Sequence, residues 1–462
     1  MPSGSRRRVD RLTVASVAAA LALVALTRPV FAHGGSLGQA ARDSISVPTW
    51  LVLLTGGAAV GASFLLASFA TDRAFVASLH EARPVSVPGR DAGATLLGVV
   101  GVAGLAFVLA VGFAGPQRPA ISNAAVTVVW AGWWAGFAMS TYLAGNAWPA
   151  LNPWRTLTEL LPRVGRRYDW RLGAWPSVAG LLALIWLEVV SPLADRPRLL
   201  ATTVLAYSVV TVAGAVVYGP SQWFEQADPV ARVFRYYGAV APVGVVDGRL
   251  VVRLPGAGLT DDVVDGFDEV AFVVALLWVT TFDGLVTTPA WRGLADWFVG
   301  RGLPPVVLYP LALAAGFAFF LAVYVAAARR ARRTAESYVT ALTLARRFAP
   351  SLLAIAAGYH VAHFLGYFLT LSPALVATVT APLSTLSPSV IVLPEWFGLV
   401  AIAGVLGGHV VAIAAAHATA FDLFPGRLQA IRSQYPFIVA MIFYTVVSLW
   451  VVTRPEVTPP YI

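Results

Sequence analysis

The chain has 462 residues, of which 58% are hydrophobic and only 12% are charged, against about 25% charged residues in an ordinary soluble domain. With a mean hydropathy of +0.74, this composition indicates an integral membrane protein and excludes a typical soluble domain. The absence of cysteine excludes disulfides, thiolate metal sites and cysteine nucleophiles. The net charge of +9 would suit nucleic acid, but the basic residues are all Arg and lie in short loops between apolar runs. Membrane topology explains that charge better, so we expect no nucleic-acid partner.

Residues 1–32 have the pattern of a secretory signal segment. A basic region at 6–8 precedes an apolar stretch over 12–26, and Ala32 ends a small-residue cleavage pattern. Cleavage there would leave His33 as the first residue, where a free amine and an imidazole could bind copper. An uncleaved anchor helix is the alternative, and both interpretations place His33 outside the cytoplasm.

Ten further apolar stretches are long enough for the roughly 20 residues that cross a bilayer core. With the N-terminus outside, the Arg-rich loops 145–173 and 329–347 both fall in the cytoplasm, as the positive-inside rule requires. We therefore predict an all-α, polytopic helical bundle in the plasma membrane, with the C-terminus also outside. The predicted spans are 48–71, 93–115, 123–144, 174–192 and 197–218 in the segment 33–218, then 270–288, 304–328, 348–371, 395–420 and 436–453 in the segment 270–462.

The segment 219–269 separates the two sets of five spans and is predicted to be a cytoplasmic insert. Apolar residues flank Asp247-Gly248, which is a strong signal for a β-hairpin. The preceding stretch, 223–237, has the pattern of a short interfacial helix. The acidic residues over 261–269 indicate a solvated edge more readily than a cation site.

Ionisable residues within the predicted spans are the candidates for function, because burying them in a bilayer is costly. His360 and His363 are three residues apart and therefore share one helix face. His409 in the next span and Asp283 in the span 270–288 have a similar predicted depth, whereas His417 lies about 12 Å deeper at 1.5 Å per residue. His360, His363, His409 and Asp283 can therefore converge.

Three imidazoles and a carboxylate form a plausible first shell for a divalent metal such as Zn²⁺ or Cu²⁺. Water bound to such a metal ionises near neutral pH and can attack an ester, with Tyr359 or Tyr367 as a proton donor. The structural alternative is that the histidines only hydrogen-bond across helices. Four histidines and Asp283 are clustered in the later spans while the first five spans contain no histidine, and this favours function. Glu188 could pair with an outside loop or belong to a proton path.

Two other functions fit the same residues. A b-type haem needs two facing histidines at equal depth, which His360 or His363 could supply together with His409. A copper or zinc transporter would use His33 as an outside capture site and the deeper histidines as the path. The sequence leaves open the small-molecule substrate or metal ion, and the oligomeric state.

The chain contains the motifs Ala32-His33-Gly34, Val47-Pro48-Thr49-Trp50-Leu51, Asn152-Pro153-Trp154-Arg155-Thr156, Asp247-Gly248-Arg249-Leu250, Phe282-Asp283-Gly284, Val361-Ala362-His363, Gly408-His409-Val410, Ala416-His417 and Gln434-Tyr435-Pro436. Together these motifs resemble the polytopic membrane protein family known as fenitrothion hydrolase. The resemblance implies a membrane hydrolase of organophosphate triesters, but it carries no established set of catalytic residues onto this chain. One departure is that Ala418 follows the last histidine, where the family pattern has Asp, and Asp422 comes later.

Overall fold

The structure is a computed structural model that describes residues 49–67, 69, 72–78, 81–86, 88–385, 388–452, 454 and 457–461. The predicted signal segment 1–32 and His33 lie outside these residues, so both stay predictions. Within them the chain is mostly helical and carries one small sheet, as expected for an α-helical membrane bundle.

Among the described residues, each of the ten predicted spans contains helical structure. The α-helices are α1 (Thr49–Ala67), α2 (Arg73–Ser78), α3 (Arg90–Ala114), α4 (Ala124–Thr127), α5 (Ala138–Leu143), α6 (Trp148–Leu151), α7 (Pro153–Glu159), α8 (Trp175–Val190), α9 (Pro197–Tyr218), α10 (Pro220–Gln222), α11 (Pro229–Val240), α12 (Phe267–Val286), α13 (Pro289–Val299), α14 (Pro305–Thr334), α15 (Ala341–Thr380), α16 (Gly398–Leu423) and α17 (Arg427–Val452). Two π-helices, Val128–Phe137 and Trp223–Ala227, and three short 3₁₀ helices, Ala120–Ser122, Ala257–Thr260 and Glu395–Phe397, complete the helical structure.

Seven helices of the described chain, α3, α9, α12 and α14 to α17, are long and apolar enough to cross a membrane. A multi-pass membrane protein is therefore supported. The other three predicted spans fall on α1, on the run 124–143, and on α8. The run 124–143 is divided between α4, a π-helix and α5, and α8 has only 16 residues against the roughly 20 of a perpendicular crossing. The count of ten spans thus stays a prediction.

Helix α12 occupies the centre of the bundle. Its residues from 270 to 279 are all buried, and it packs against α8, α14 and α15. A helix that is apolar on every side is typical of such an interior position. The longest helix, α15, packs on α12 and on α16. These contacts bring the ionisable residues of α12 and α15 into the interior.

The predicted hairpin is present in the segment 219–269. Strands β2 (Val243–Val246) and β3 (Arg249–Val252) pair antiparallel around Asp247-Gly248, whose φ angles of 49° and 75° are those of a type I′ turn. A third strand, β1 (Arg83–Val85), pairs with β3 and gives the order β1-β3-β2. Three residues carry too little pattern for the sequence to have predicted β1.

Helix α11 of the same segment packs into the bundle. Helix α11 begins after Asp228, whose side chain caps it by accepting a hydrogen bond from the Ala231 backbone N–H at 2.7 Å. Its aromatic face, which includes Tyr236 and Tyr237, is fully buried against α5, α8 and α15. This helix is therefore buried against three other helices, and its position at the membrane interface stays a prediction.

Three of the five acidic residues over 261–269 are exposed to solvent, and most of the five also pair with arginines. Asp261 lies 2.7 Å from Arg253, and Asp262 lies 2.5 Å from Arg347. Glu269 pairs with two arginines of α11. The prediction of a solvated acidic edge therefore holds for the residues at 261, 262 and 265, which are exposed, whereas Glu269 is buried.

Candidate functional site

The carboxylate of α12 and an imidazole of α15 meet inside the bundle. Asp283 Oδ2 lies 3.5 Å from His363 Nε2, and the two side chains are 24% and 4% exposed. Because α12 and α15 are packed neighbours, this predicted pair of site residues is brought together by helix packing. A carboxylate beside a ring nitrogen can orient the imidazole and stabilise its protonated form.

A second carboxylate joins this pair from α8. Glu188 is near enough to Asp283 for electrostatic interaction, and it interacts in the same way with the hydroxyl of Tyr367. Two carboxylates in a site of low dielectric constant repel each other when both are ionised. We call Glu188, Asp283 and His363 the acid–base cluster.

His360 lies one turn before His363 and is enclosed by aromatic rings. It is fully buried, and its Nδ1 is 2.9 Å from the hydroxyl of Tyr142. The rings of Trp134, Tyr142 and Tyr237 each pack edge-on at 5.7 Å from its ring. Its Nε2 is buried and makes no hydrogen bond of normal geometry to a residue that the structure describes. His360 thus borders the acid–base cluster, and the electrostatic interaction between His360 and His363 connects them.

Both predicted proton donors lie near the cluster. The ring of Tyr359 is stacked at 6.0 Å from that of His363. A β-carbon added to Gly284, the residue after Asp283, would be 3.3 Å from the Tyr359 hydroxyl, which therefore lies against α12. Tyr367 approaches from the side of Glu188. Their catalytic roles stay predictions.

The structure does not direct His409 into the cluster. Its Nδ1 is 2.8 Å from the Val405 carbonyl oxygen, and its Nε2 is hydrogen-bonded to the Thr445 hydroxyl of α17. The preceding residue, Gly408, lies at the crossing with α15, where an added β-carbon would be 2.5 Å from the Ala354 carbonyl. Successive helix residues point about 100° apart, so His409 is turned towards α17. Its depth was predicted, but its orientation could not be.

The described residues include all four side chains of the metal site that the sequence predicted, and that site stays a prediction. Among them no group of three or more His, Asp or Glu side chains is arranged to hold a metal ion, whereas Zn²⁺ and Cu²⁺ sites commonly take three or four protein ligands. A haem would need a ring nitrogen from each of two facing histidines, and both nitrogens of His409 are already hydrogen-bonded. The metal and haem cofactors therefore stay untested predictions, and we derive no step through either.

A tryptophan-lined cavity lies beside the acid–base cluster. Its volume is about 380 Å³, within the range of about 300–1,000 Å³ that small-molecule sites occupy. Three of its lining tryptophans, Trp130, Trp133 and Trp134, lie in one helical run. The π-helix over 128–137 gives them positions that an α-helical pattern does not predict. The polar and aromatic walls include Trp130, Trp133, Trp134, Trp148, Trp154 and Glu188.

Two residues connect the cavity with the buried polar groups. Glu188 lines the cavity and interacts with Asp283, while Trp134 lines the cavity and packs on His360. Two signals in the sequence could have pointed to this site. One is the single carboxylate of an apolar span, Glu188, and the other is a set of three tryptophans within five residues of a different span. Searches of family models, curated proteins and solved structures gave no match to this chain.

Proposed function

We propose that this protein binds an apolar small molecule in the tryptophan-lined cavity and acts on it by proton transfer through the acid–base cluster. The observation that carries this proposal is the double position of Glu188, which lines the cavity and interacts with Asp283. An apolar pocket with a few convergent polar groups is the usual form of a small-molecule site. Ionisable groups within a membrane bundle are seldom retained without a role.

The reaction that we propose is hydrolysis of a neutral aromatic ester, such as the organophosphate triesters implied by the resemblance to fenitrothion hydrolase. The His363 imidazole, oriented by Asp283, would take a proton from water as the water oxygen bonds to phosphorus. The bond from phosphorus to the aryl oxygen would break, and the leaving aryloxide would take a proton either from the imidazolium or from Tyr367. In the second case the imidazolium would return its proton to the Tyr367 phenolate. A neutral triester suits the cavity because it needs no charged partner there.

The test is hydrolysis of an aromatic phosphate triester by the purified full-length chain in lipid nanodiscs. General acid–base groups contribute about 10²–10⁴-fold, so Asp283→Asn and His363→Gln should each lower kcat by about 100-fold or more. Asp247→Asn, in the hairpin turn, is the matched control because Asn also tolerates a positive φ. Folded variants of Asp283 and His363 with wild-type kcat would overturn the proposal.

Proton-coupled transport is the second candidate, and the Glu188–Asp283 carboxylate pair favours it. Buried chains of Asp, Glu and His are typical of proton relays in pumps and transporters. In sealed proteoliposomes a transporter would accumulate the unmodified aromatic ester when a proton gradient is imposed, and Asp283→Asn would abolish the accumulation. Release of the phenol without accumulation supports the hydrolase instead.

We also propose the orientation given by the Arg distribution, with ten spans in the plasma membrane and both ends outside. Because the chain has no cysteine, single introduced cysteines report topology without background. In intact cells an impermeant thiol reagent should label Arg301→Cys and leave Tyr338→Cys unlabelled. Both positions are exposed. The opposite labelling pattern would reverse the orientation, and labelling of both would change the span count.

A further inference from the structure

Four arginines follow one another closely at the end of α14. Arg329, Arg330, Arg332 and Arg333 occupy its last turns, and all four are exposed. Neither the cavity nor the acid–base cluster uses them. They concentrate positive charge on the last two turns of a single apolar helix.

The length of α14 places these arginines at the lipid headgroups. A hydrocarbon core of about 30 Å takes about 20 residues at 1.5 Å each, which matches the distance from Leu308 to Ala328. Along that stretch Leu311 and Phe319 are more than half exposed, as expected for side chains that face lipid tails. The arginine cluster therefore begins where the lipid tails end.

These arginines have no acidic partner among the residues that the structure describes, whereas those of the neighbouring helix do. Arg346 lies 3.5 Å from Asp265, and Arg347 lies 2.5 Å from both Asp262 and Asp422. The ion pairs that could have neutralised the cluster on α14 are absent from the described chain. Its guanidinium groups are thus available to an external anion.

We propose that Arg329, Arg330, Arg332 and Arg333 bind the anionic headgroups of phospholipids in the surrounding leaflet. A guanidinium presents two parallel N–H groups that match two phosphate oxygens, and it loses less hydration than an ammonium does. Arginines that lie one turn apart on α14 would bind neighbouring headgroups. This surface is independent of the function proposed above, since it needs only that α14 crosses the membrane.

The test uses energy transfer from the protein's tryptophans to pyrene-labelled phosphatidylglycerol or phosphatidylcholine in mixed micelles with the full-length chain. Wild type should prefer phosphatidylglycerol. Each Arg→Gln substitution in the cluster should reduce that preference by about fivefold, the effect of roughly one basic residue at an anionic surface. The quadruple Arg→Lys variant should keep part of the preference, because it keeps the positive charge and loses the two parallel N–H groups of the guanidinium.

The matched control removes the same number of charges from another exposed segment, by Arg→Gln at Arg163, Arg166, Arg167 and Arg171. It should keep the wild-type preference. An equal loss in this control would mean that net charge alone attracts the lipid, and that result would overturn the proposal. A wild-type protein without preference for phosphatidylglycerol would overturn it as well.

Discussion

Arg232 should be one of the most sensitive positions for the stability of this bundle. It is fully buried in α11, and its Nη1 donates to Glu269 Oε1 at 2.6 Å. Its Nη2 donates to the backbone carbonyls of Glu225 and Gln226. The pair thus joins α11 to the beginning of the central helix α12. Breaking a buried ion pair by removing one partner costs about 3–5 kcal/mol, because a buried charge is left uncompensated.

The loss of unfolding free energy in Arg232→Met should lie near the lower end of that range. Arg235 also contacts Glu269, at 2.9 Å, and would keep part of the compensation. We therefore expect a loss of about 3 kcal/mol for Arg232→Met. The matched control is Arg235→Met, which should cost about 1 kcal/mol or less because the Arg235 side chain is 39% exposed.

The assay is reversible unfolding of the purified chain in mixed micelles of increasing denaturing detergent, with tryptophan fluorescence as the signal. A double variant, Arg232→Met with Glu269→Met, should be more stable than Arg232→Met alone, because it leaves no buried carboxylate without its main partner. Equal losses for Arg232→Met and Arg235→Met would refute the reasoning. A double variant less stable than Arg232→Met would refute it too.

Two further predictions concern the crossing of α15, α16 and α17. Gly408→Ala would put a β-carbon 2.5 Å from the Ala354 carbonyl oxygen. Helices α15 and α16 must then separate, which should lower the free energy of unfolding by about 1–3 kcal/mol. Gly407→Ala is the control, because its β-carbon would meet nothing within 4 Å, and it should unfold like wild type in the same detergent titration. Thr445→Val should cost about 1–3 kcal/mol by leaving the buried His409 Nε2 without its partner. Ester hydrolysis should persist in this variant, and its loss would mean that His409 belongs to the site.

The sequence predicts the helical runs of this fold well, because apolar runs of bilayer length leave few alternatives. The Asp247-Gly248 turn likewise predicts its hairpin from local chemistry alone. Depth along a helix also follows from counting residues, and it correctly placed Asp283 within reach of His363. Each of these features depends on properties that neighbouring residues carry by themselves.

The orientation of side chains around each helix could not be predicted in the same way. His409 faces α17 because glycines occupy the contact with α15, and that contact depends on which helices are neighbours. The tryptophans at 133 and 134 lie in a π-helix and face the cavity and the histidines. Its i→i+5 hydrogen bonds change the direction in which each side chain points, compared with an α-helix. The segment 219–269 contributes Tyr237 to the surroundings of His360 for a similar reason, since only tertiary packing brings α11 inside.

The central claim is that the tryptophan-lined cavity and the acid–base cluster form one site, and filling the cavity tests it most directly. Gly104 of α3 lines the cavity, and a β-carbon there would meet nothing within 4 Å. Gly93 of the same helix is equally open, but it does not line the cavity. With an aromatic phosphate triester as substrate, Gly104→Trp should lose most of the hydrolysis while Gly93→Trp keeps it. Equal, wild-type hydrolysis in both variants would contradict the claim.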